Sequence, residues 1–120
     1  MSPLPAREHS GTRTMQIRAL NDQLRKWPLP PLGELFLTSS VMGLPHQDRF
    51  RILRKVMDFD AFTADNDPHG EHDFGAIAHD GVNYFWKIDY YDLRKRNHSP
   101  DPTNRDVTCR VLTVMRADEY

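Results

Sequence analysis

The spacing of apolar residues predicts a helix near the start of the chain. Between residues 12 and 27, apolar side chains recur at helical intervals: Ile17, Leu20, Leu24 and Trp27. The basic residues of this helix are predicted to lie on its other, polar faces: Arg13, Arg18, Arg25 and Lys26. The prolines that follow, Pro28, Pro30 and Pro31, remove backbone donors and fix φ, so we expect the helix to end near Trp27. The segment 1–11 is rich in Pro, Ser and Gly and poor in apolar residues, and is therefore predicted to be a flexible N-terminal arm.

A strand and a second helix are predicted next. The segment 34–42 alternates apolar and polar residues, the period of a half-buried strand. Pro45 is predicted to open a helix that runs to about Phe59, with an apolar stripe made of Phe50, Leu53, Val56 and Met57. The basic residues beside this stripe are expected to form a solvated face rather than a phosphate site.

The segment 74–91 is predicted to be a β-hairpin, because two aromatic and β-branched runs flank Asp80-Gly81, a dipeptide that favours a type I′ turn. That turn fixes a register, in which His79 faces Val82, Ile77 faces Tyr84, Gly75 faces Trp86 and, by extension, His72 faces Asp89. One face of the hairpin is then apolar: Ile77, Tyr84, Trp86 and Ile88. The other face is mixed and includes titratable groups: His72, Phe74, Lys87 and Asp89.

The last part of the chain is compatible with two elements. Thr103 followed by Asp106 resembles a capping box that opens a helix, whereas the alternation of Val107, Cys109 and Val111 suits a strand almost as well. Taken together, the elements predict an α+β fold. We expect a single domain over residues 12–120, with two or three helices packed on a short antiparallel sheet that contains the hairpin at about 74–91.

Composition narrows the class of protein. With 120 residues the chain has the usual size of one domain, and 16 basic residues against 17 acidic ones do not indicate a nucleic-acid partner. No apolar run is long enough to cross a bilayer, and the first residues lack the apolar core of a secretory signal, so we expect a cytoplasmic protein. The single cysteine, Cys109, excludes an intramolecular disulfide and is expected to be a buried structural thiol.

Candidate chemistry is concentrated between Asp65 and Asp73, where three aspartates, one glutamate and two histidines fall within nine residues. One interpretation is a divalent transition-metal site, with His69, His72 and Asp73 as candidate ligands and Glu71 or Asp89 as alternative carboxylates. A calcium loop is a weaker interpretation. Asp65, Asp67 and Gly70 match the first, third and sixth positions of such a loop, but the twelfth position is Ala76 instead of glutamate.

A third interpretation is general acid–base chemistry, in which Asp89 orients His72 and Lys87 stabilises a developing anion, with Glu71 as a further candidate. The structural alternative is a loop whose carboxylates accept backbone hydrogen bonds and whose histidines satisfy them. The same side chains are the candidate binding loop: Asp67, His69, Glu71, His72, Asp73 and Asp92. The sequence alone leaves these alternatives open, and it predicts no cofactor beyond a possible divalent metal.

Several motifs in the second half of the chain resemble one family. They are Asp60-Ala-Phe-Thr63, Asn66-Asp-Pro-His-Gly-Glu-His-Asp-Phe-Gly75, Phe85-Trp-Lys-Ile-Asp-Tyr-Tyr-Asp92, Ser99-Pro-Asp-Pro102 and Arg110-Val-Leu-Thr-Val-Met115. Together they resemble the domain of unknown function 3768, over about residues 17–120. The resemblance implies a small stand-alone bacterial protein, encoded on plasmids in some members, and brings no established activity.

Two functional hypotheses follow. The leading one is a small accessory protein that binds a macromolecular partner, expected to be a protein, for example as a mobile-element-encoded inhibitor of a host defence system. The alternative is a compact metal-assisted or acid–base hydrolase that uses the 65–75 loop and the 84–92 strand. The sequence has no nucleophile elbow and no phosphate-binding glycine loop, and it does not predict an oligomeric state.

Overall fold

The structure, a computed structural model, describes the backbone of residues 6–120 and the side chains from residue 11 onward. Its helices are α1 (Ala6–Lys26), α2 (Ser39–Met42) and α3 (His46–Met57). Its strands are β1 (Glu34–Leu37), β2 (Phe74–His79), β3 (Val82–Tyr91) and β4 (Cys109–Arg116). Two single-turn 3₁₀ helices lie at Arg105–Val107 and Ala117–Glu119. The predicted α+β class is confirmed.

The four strands form one sheet in the order β1-β4-β3-β2. The pairs β2–β3 and β3–β4 are antiparallel, but β1 lies parallel to β4, so the sheet is mixed and not wholly antiparallel as predicted. Parallel pairing needs a long connection, which the chain supplies because it leaves β1 through α2 and α3, forms the β2–β3 hairpin, and returns to the opposite edge of β3 as β4.

The hydrophobic core lies on one face of the sheet, under the three helices. Its strand residues alternate along β3 and β4, as the pleat requires: Tyr84, Trp86, Ile88, Tyr90, Leu112 and Val114. The helices contribute Ile17, Leu24, Val41, Ile52 and Val56. The predicted hairpin register is confirmed, with His79 opposite Val82, Ile77 opposite Tyr84 and Gly75 opposite Trp86.

Several element predictions differ from the structure. Helix α1 begins at Ala6, inside the segment predicted as a flexible arm, while residues 1–5 lie outside the described part of the chain. Trp27 and Phe50, both predicted on buried stripes, are 62% and 60% exposed, and Ile52 takes the buried position on α3. Periodicity located both helices and placed Ile17, Leu24 and Val56 correctly in the core, but it failed at these two positions because a three- or four-residue spacing fits more than one face.

The segment 34–42 also differs from prediction, whereas the segment 103–117 adopts one of the two alternatives left open for it. The first is a four-residue strand followed by the short helix α2, not a continuous strand. The second forms the strand β4 instead of a capped helix, which confirms the alternative reading of its β-branched alternation. Within residues 6–120, no helix combines the length and apolar character that a membrane span needs.

Gly75 on β2 lies directly against the indole of Trp86, the largest fully buried side chain of the core. A Cβ atom at position 75 would lie 2.4 Å from Trp86 Nε1 and 2.6 Å from Cε2. Because the indole is enclosed on its other sides, it cannot move away from an added methyl group.

We therefore predict that Gly75→Ala lowers the free energy of unfolding by about 1–3 kcal/mol, the usual cost of overpacking a core. The matched control is Gly11→Ala, because Gly11 lies in α1 with nothing within 4 Å of its added Cβ. That change should raise stability by roughly 0.5–1 kcal/mol. Urea unfolding of both variants checks the pair, and an unchanged midpoint for Gly75→Ala would contradict the packing argument.

Candidate functional site

His72 is held in place by contacts at both ring nitrogens and on one face of its ring. Its Nδ1 lies 2.9 Å from Asp22 Oδ1 on α1, and its Nε2 lies 3.7 Å from Asp67 Oδ2. The ring stacks on Phe62, with centroids 3.7 Å apart and planes 3° from parallel. Its backbone N–H donates to Asp67 Oδ1, and its φ is +56°, an uncommon conformation for a residue other than glycine. Strained residues of this kind persist only where their surroundings fix them.

Arg25, one turn after Asp22 on α1, extends this arrangement into the core. Its side chain is 2% exposed, and its guanidinium contacts Asp22 Oδ1 at 3.2 Å. Its Nη1 donates to three carbonyl oxygens at and beyond the end of α3, those of Val56, Met57 and Phe59. The last carbonyls of a helix have no partner within the helix, and Arg25 supplies them with a charged donor, adding to the Phe59 N–H that the Val56 carbonyl also accepts.

Sequence reasoning missed both Asp22 and Arg25. It assigned Arg25 to a polar face, although Ile17, Asn21, Leu24 and Arg25 follow the i, i+4, i+7, i+8 spacing of a buried face and all four are buried. That spacing could have indicated from the sequence that Arg25 is buried. Asp22, Arg25, Phe62 and His72 now line one cleft of about 440 Å³, with Lys26 and the segment 57–60 around it.

Glu71 belongs to a separate buried chain of hydrogen bonds. The Tyr90 hydroxyl donates to Glu71 Oε1 at 2.7 Å, and Asn21 Nδ2 donates to the Tyr90 oxygen at 2.7 Å. Arg110 Nε donates to Asn21 Oδ1 at 2.9 Å, and Arg110 also donates to the Pro102 carbonyl. Burial first, and then the Glu71 hydrogen bond, raise the pKa of Tyr90 well above its ordinary value, so the phenol stays protonated.

The predicted pairing of His72 with Asp89 is wrong. Strand β2 begins at Phe74, opposite Lys87, and the chain before it turns towards α1 at His72. Asp89 lies on the other face of the sheet, where its Oδ2 is 3.0 Å from Lys87 Nζ. That hydrogen bond raises the pKa of Lys87. Asp22 occupies the position next to the imidazole that Asp89 was expected to hold.

The other candidate residues are dispersed. His69 is exposed, and Asp73 is partly buried beside Glu71. Asp92 accepts the Arg96 N–H at 3.0 Å in the turn after β3, and this backbone hydrogen bond lowers its pKa. Cys109 is only partly buried; its Sγ donates to Glu34 Oε2 at 2.8 Å, and burial followed by that hydrogen bond raises its pKa to about 11.

The metal candidates do not converge. Among the side chains that the structure describes, no group of three or more His, Cys, Asp and Glu residues is placed to bind a metal ion. The geometry of His72 gives the reason, because its two carboxylate neighbours lie at opposite ring nitrogens and cannot share one ion with it. The candidate residues therefore form three separate arrangements: the His72 contacts, the Glu71 chain and the Lys87–Asp89 pair.

The family model described as "Protein of unknown function (DUF3768)" matches residues 37–119. The chain belongs to this family. The match includes the 58–73 loop, the hairpin and β4, so the resemblance of the motifs is confirmed over most of the domain. Comparisons with curated proteins and with solved structures gave no match. Asn21, Asp22 and Arg25 precede the matched range of this DUF3768 protein, although they complete two of its three polar arrangements.

The Asp22–His72 contact should couple the loop to α1 energetically. In a double-mutant cycle of Asp22→Ala and His72→Ala, we expect a coupling of about 1 kcal/mol, since the pair is partly exposed. The backbone strain relieved or added at position 72 cancels in the coupling term. A parallel cycle with the exposed His69→Ala should be additive, and urea unfolding measures both. Additivity in the Asp22–His72 cycle would show that the contact contributes nothing to stability.

Asp73 should make stability depend on pH. Burial, followed by the charge of Glu71, raises its pKa above the ordinary value, so the folded state binds this proton more tightly than the unfolded state. The stability contributed by protonated Asp73 is fully present below the pKa of Asp73 in the unfolded state. It is lost as pH rises through the pKa of Asp73 in the folded state. Asp73→Asn should therefore stabilise the protein at about pH 7, and the gain should shrink towards about pH 3. Unfolding at both pH values checks this, with the exposed Asp65→Asn as control.

Proposed function

We propose that this chain binds a protein partner through the outer face of its sheet, the face opposite α1 and α3. The side chains of this outer face come from all four strands: Phe36, Phe74, Phe85, Lys87, Asp89, Val111 and Thr113. The observation that carries the proposal is that the face is rich in aromatic residues, whereas the buried side chains of the described helices all belong to the core on the other face. Exposed apolar surface of this kind is typical of interaction sites.

An aromatic cluster occupies one end of the outer face. Phe74 and Phe85 lie 5.0 Å apart, and the ring of Tyr120 packs against both, at 5.8 Å and 5.6 Å between centroids. Tyr120 remains 76% exposed. Aromatic side chains supply large contact area at low entropic cost, and they are enriched at the centres of protein interfaces.

Phe36 extends this surface to the opposite edge of the sheet. It pairs with Thr113, which pairs with Lys87, which pairs with Phe74, so one row of the outer face runs from Phe36 to Phe74. Phe36 is 57% exposed although it lies in a strand between half-buried neighbours. A partner that covers this row would bury an apolar side chain at each end and an ion pair between them.

The charges favour a protein over a nucleic acid. Lys87 is neutralised by Asp89 at 3.0 Å, and Lys95, at the edge of this face, is neutralised by Glu34 at 2.7 Å. Single-stranded nucleic acids bind to aromatic platforms that also carry an electropositive groove for the phosphates. Paired charges lack that excess, and they suit the polar rim of a protein interface.

The narrower hypothesis is that the bound protein belongs to a defence or regulatory system that the chain inhibits. It rests on the family resemblance, and the inhibited protein would bind to the same outer face. The hydrolase alternative would need His72, Glu71 and Asp89 to act on one substrate. It has less support, because these side chains lie in three separate arrangements and the Nε2 of His72 faces a buried carboxylate.

The test compares two similarly exposed phenylalanines on different surfaces, Phe36 on the outer face and Phe50 on α3. Phe36→Ser should reduce retention of a specific partner from a lysate of the source organism by at least about tenfold, the effect of removing an interface anchor. Phe50→Ser, on the outer side of α3 and equally exposed, should retain the partner as the wild type does. Affinity capture with quantitative mass spectrometry measures both. Equal retention by the two variants, or equal loss, would contradict the outer face as the binding surface.

A further inference from the structure

We propose that a second surface, the groove between the proline turn and the start of β4, binds a small carboxylic acid with an apolar body. The groove is lined by the segment 30–34 on one side and by Leu93, Lys95, Arg105 and the segment 108–110 on the other. Its volume is about 510 Å³, within the usual range for small-molecule sites. The groove shares Glu34 and Lys95 with the edge of the outer face. Its apolar walls and Arg105 lie outside that face, so the proposal does not depend on the protein partner.

Backbone hydrogen bonds hold the two segments that form the apolar walls. Pro30, Pro31 and Leu32 form one wall, in which the Leu32 N–H donates to the Leu29 carbonyl at 3.0 Å. Leu93, 63% exposed, forms the other. It is presented by a tight turn in which the Asp92 N–H donates to the Asn97 carbonyl and the Lys95 N–H donates to the Asp92 carbonyl, each at 2.9 Å. Preorganised walls reduce the entropic cost of binding a small apolar group.

The only carboxylate among the lining residues is already neutralised. Glu34 Oε1 lies 2.7 Å from Lys95 Nζ, and Glu34 Oε2 accepts the Cys109 thiol at 2.8 Å. Both oxygens therefore have a donor, and the lowered pKa of Glu34 reflects first the thiol and then the lysine. An entering anion meets an ion pair here, not an unpaired negative charge.

The remaining charge of the groove is positive. Arg110 is buried and fixed by Asn21, and its nearness to Arg105 contributes to lowering its pKa, after burial. Arg105 is exposed on its single-turn helix, and within residues 11–120 no side chain forms an ion pair with it. A ligand carboxylate would form paired hydrogen bonds with the guanidinium of Arg105 and would offset its repulsion by Arg110. Apolar walls next to this unneutralised cation specify a ligand that is apolar at one end and anionic at the other.

The experiment titrates ¹⁵N-labelled full-length protein with benzoate and, separately, with benzyl alcohol as its neutral counterpart. Benzoate should shift amide resonances of the segments 32–34, 93–95 and 105–110 and should saturate with a Kd on the order of 1 mM, as expected for so small a ligand. Benzyl alcohol should bind at least about fivefold more weakly, because it lacks the charge that pairs with Arg105.

Two variants test whether Arg105 supplies the positive charge that binds benzoate. Arg105→Gln should weaken benzoate binding about tenfold, whereas Arg94→Gln, an exposed arginine next to Leu93 that does not line the groove, should leave it unchanged. Non-saturating shifts, shifts outside the groove, equal binding of benzyl alcohol, or equal weakening by the two variants would each overturn the proposal. Both arginines are exposed, and amide spectra of the free variants verify that they are folded.

Discussion

The Arg25 guanidinium joins three parts of the molecule at one buried point. Removing an arginine from water costs several kcal/mol, a cost that hydrogen bonds and a countercharge can offset. Arg25 Nε has no hydrogen-bond partner among the described residues, so its two terminal nitrogens make these contacts. Here three carbonyls at the end of α3 accept from it, Asp22 supplies the countercharge, and the rings of Phe62 and Trp86 lie 5.4 Å from its centre. The negative end of the α3 dipole adds to this stabilisation. Helix α1, helix α3 and the irregular loop are consequently positioned by the same cation.

The position of the 58–73 loop also depends on contacts with the buried Arg25. Asp22 contacts both Arg25 and the imidazole of His72, and Phe62 stacks on that imidazole while facing the guanidinium. The density of acidic and histidine residues between 58 and 73 therefore has a structural explanation for several of its members. Their side chains satisfy backbone groups and one another, and the surfaces proposed for binding lie elsewhere, on the outer face and in the groove beside the proline turn.

The sequence predicted what depends on local rules. Alternation and the Asp80-Gly81 turn fixed the hairpin register, because a period of two and a two-residue turn leave one pairing that keeps Trp86 inside. The contacts of His72 did not follow, because its main partner is 50 residues away on α1 and no periodicity relates the two. The predicted register did not extend to Asp89, because the backbone leaves the sheet at His72 with a positive φ. No sequence pattern indicated this change of direction. Arg25 was misassigned because a buried arginine is rare and its charge suggests a solvated position.

The parallel pairing of β1 with β4 has a consequence for biosynthesis. Glu34–Leu37 leaves the ribosome long before its strand partner β4, and the two are separated by 77 residues at Glu34 and Val111. During translation this early strand has no sheet to join, while the β2–β3 hairpin can already form from neighbouring residues. Loop closure over such a distance is among the slow steps of folding. The ribosome therefore has to synthesise β4 before β1 can join the sheet. Until then, Leu35 and Leu37 of the nascent chain cannot be buried against the sheet.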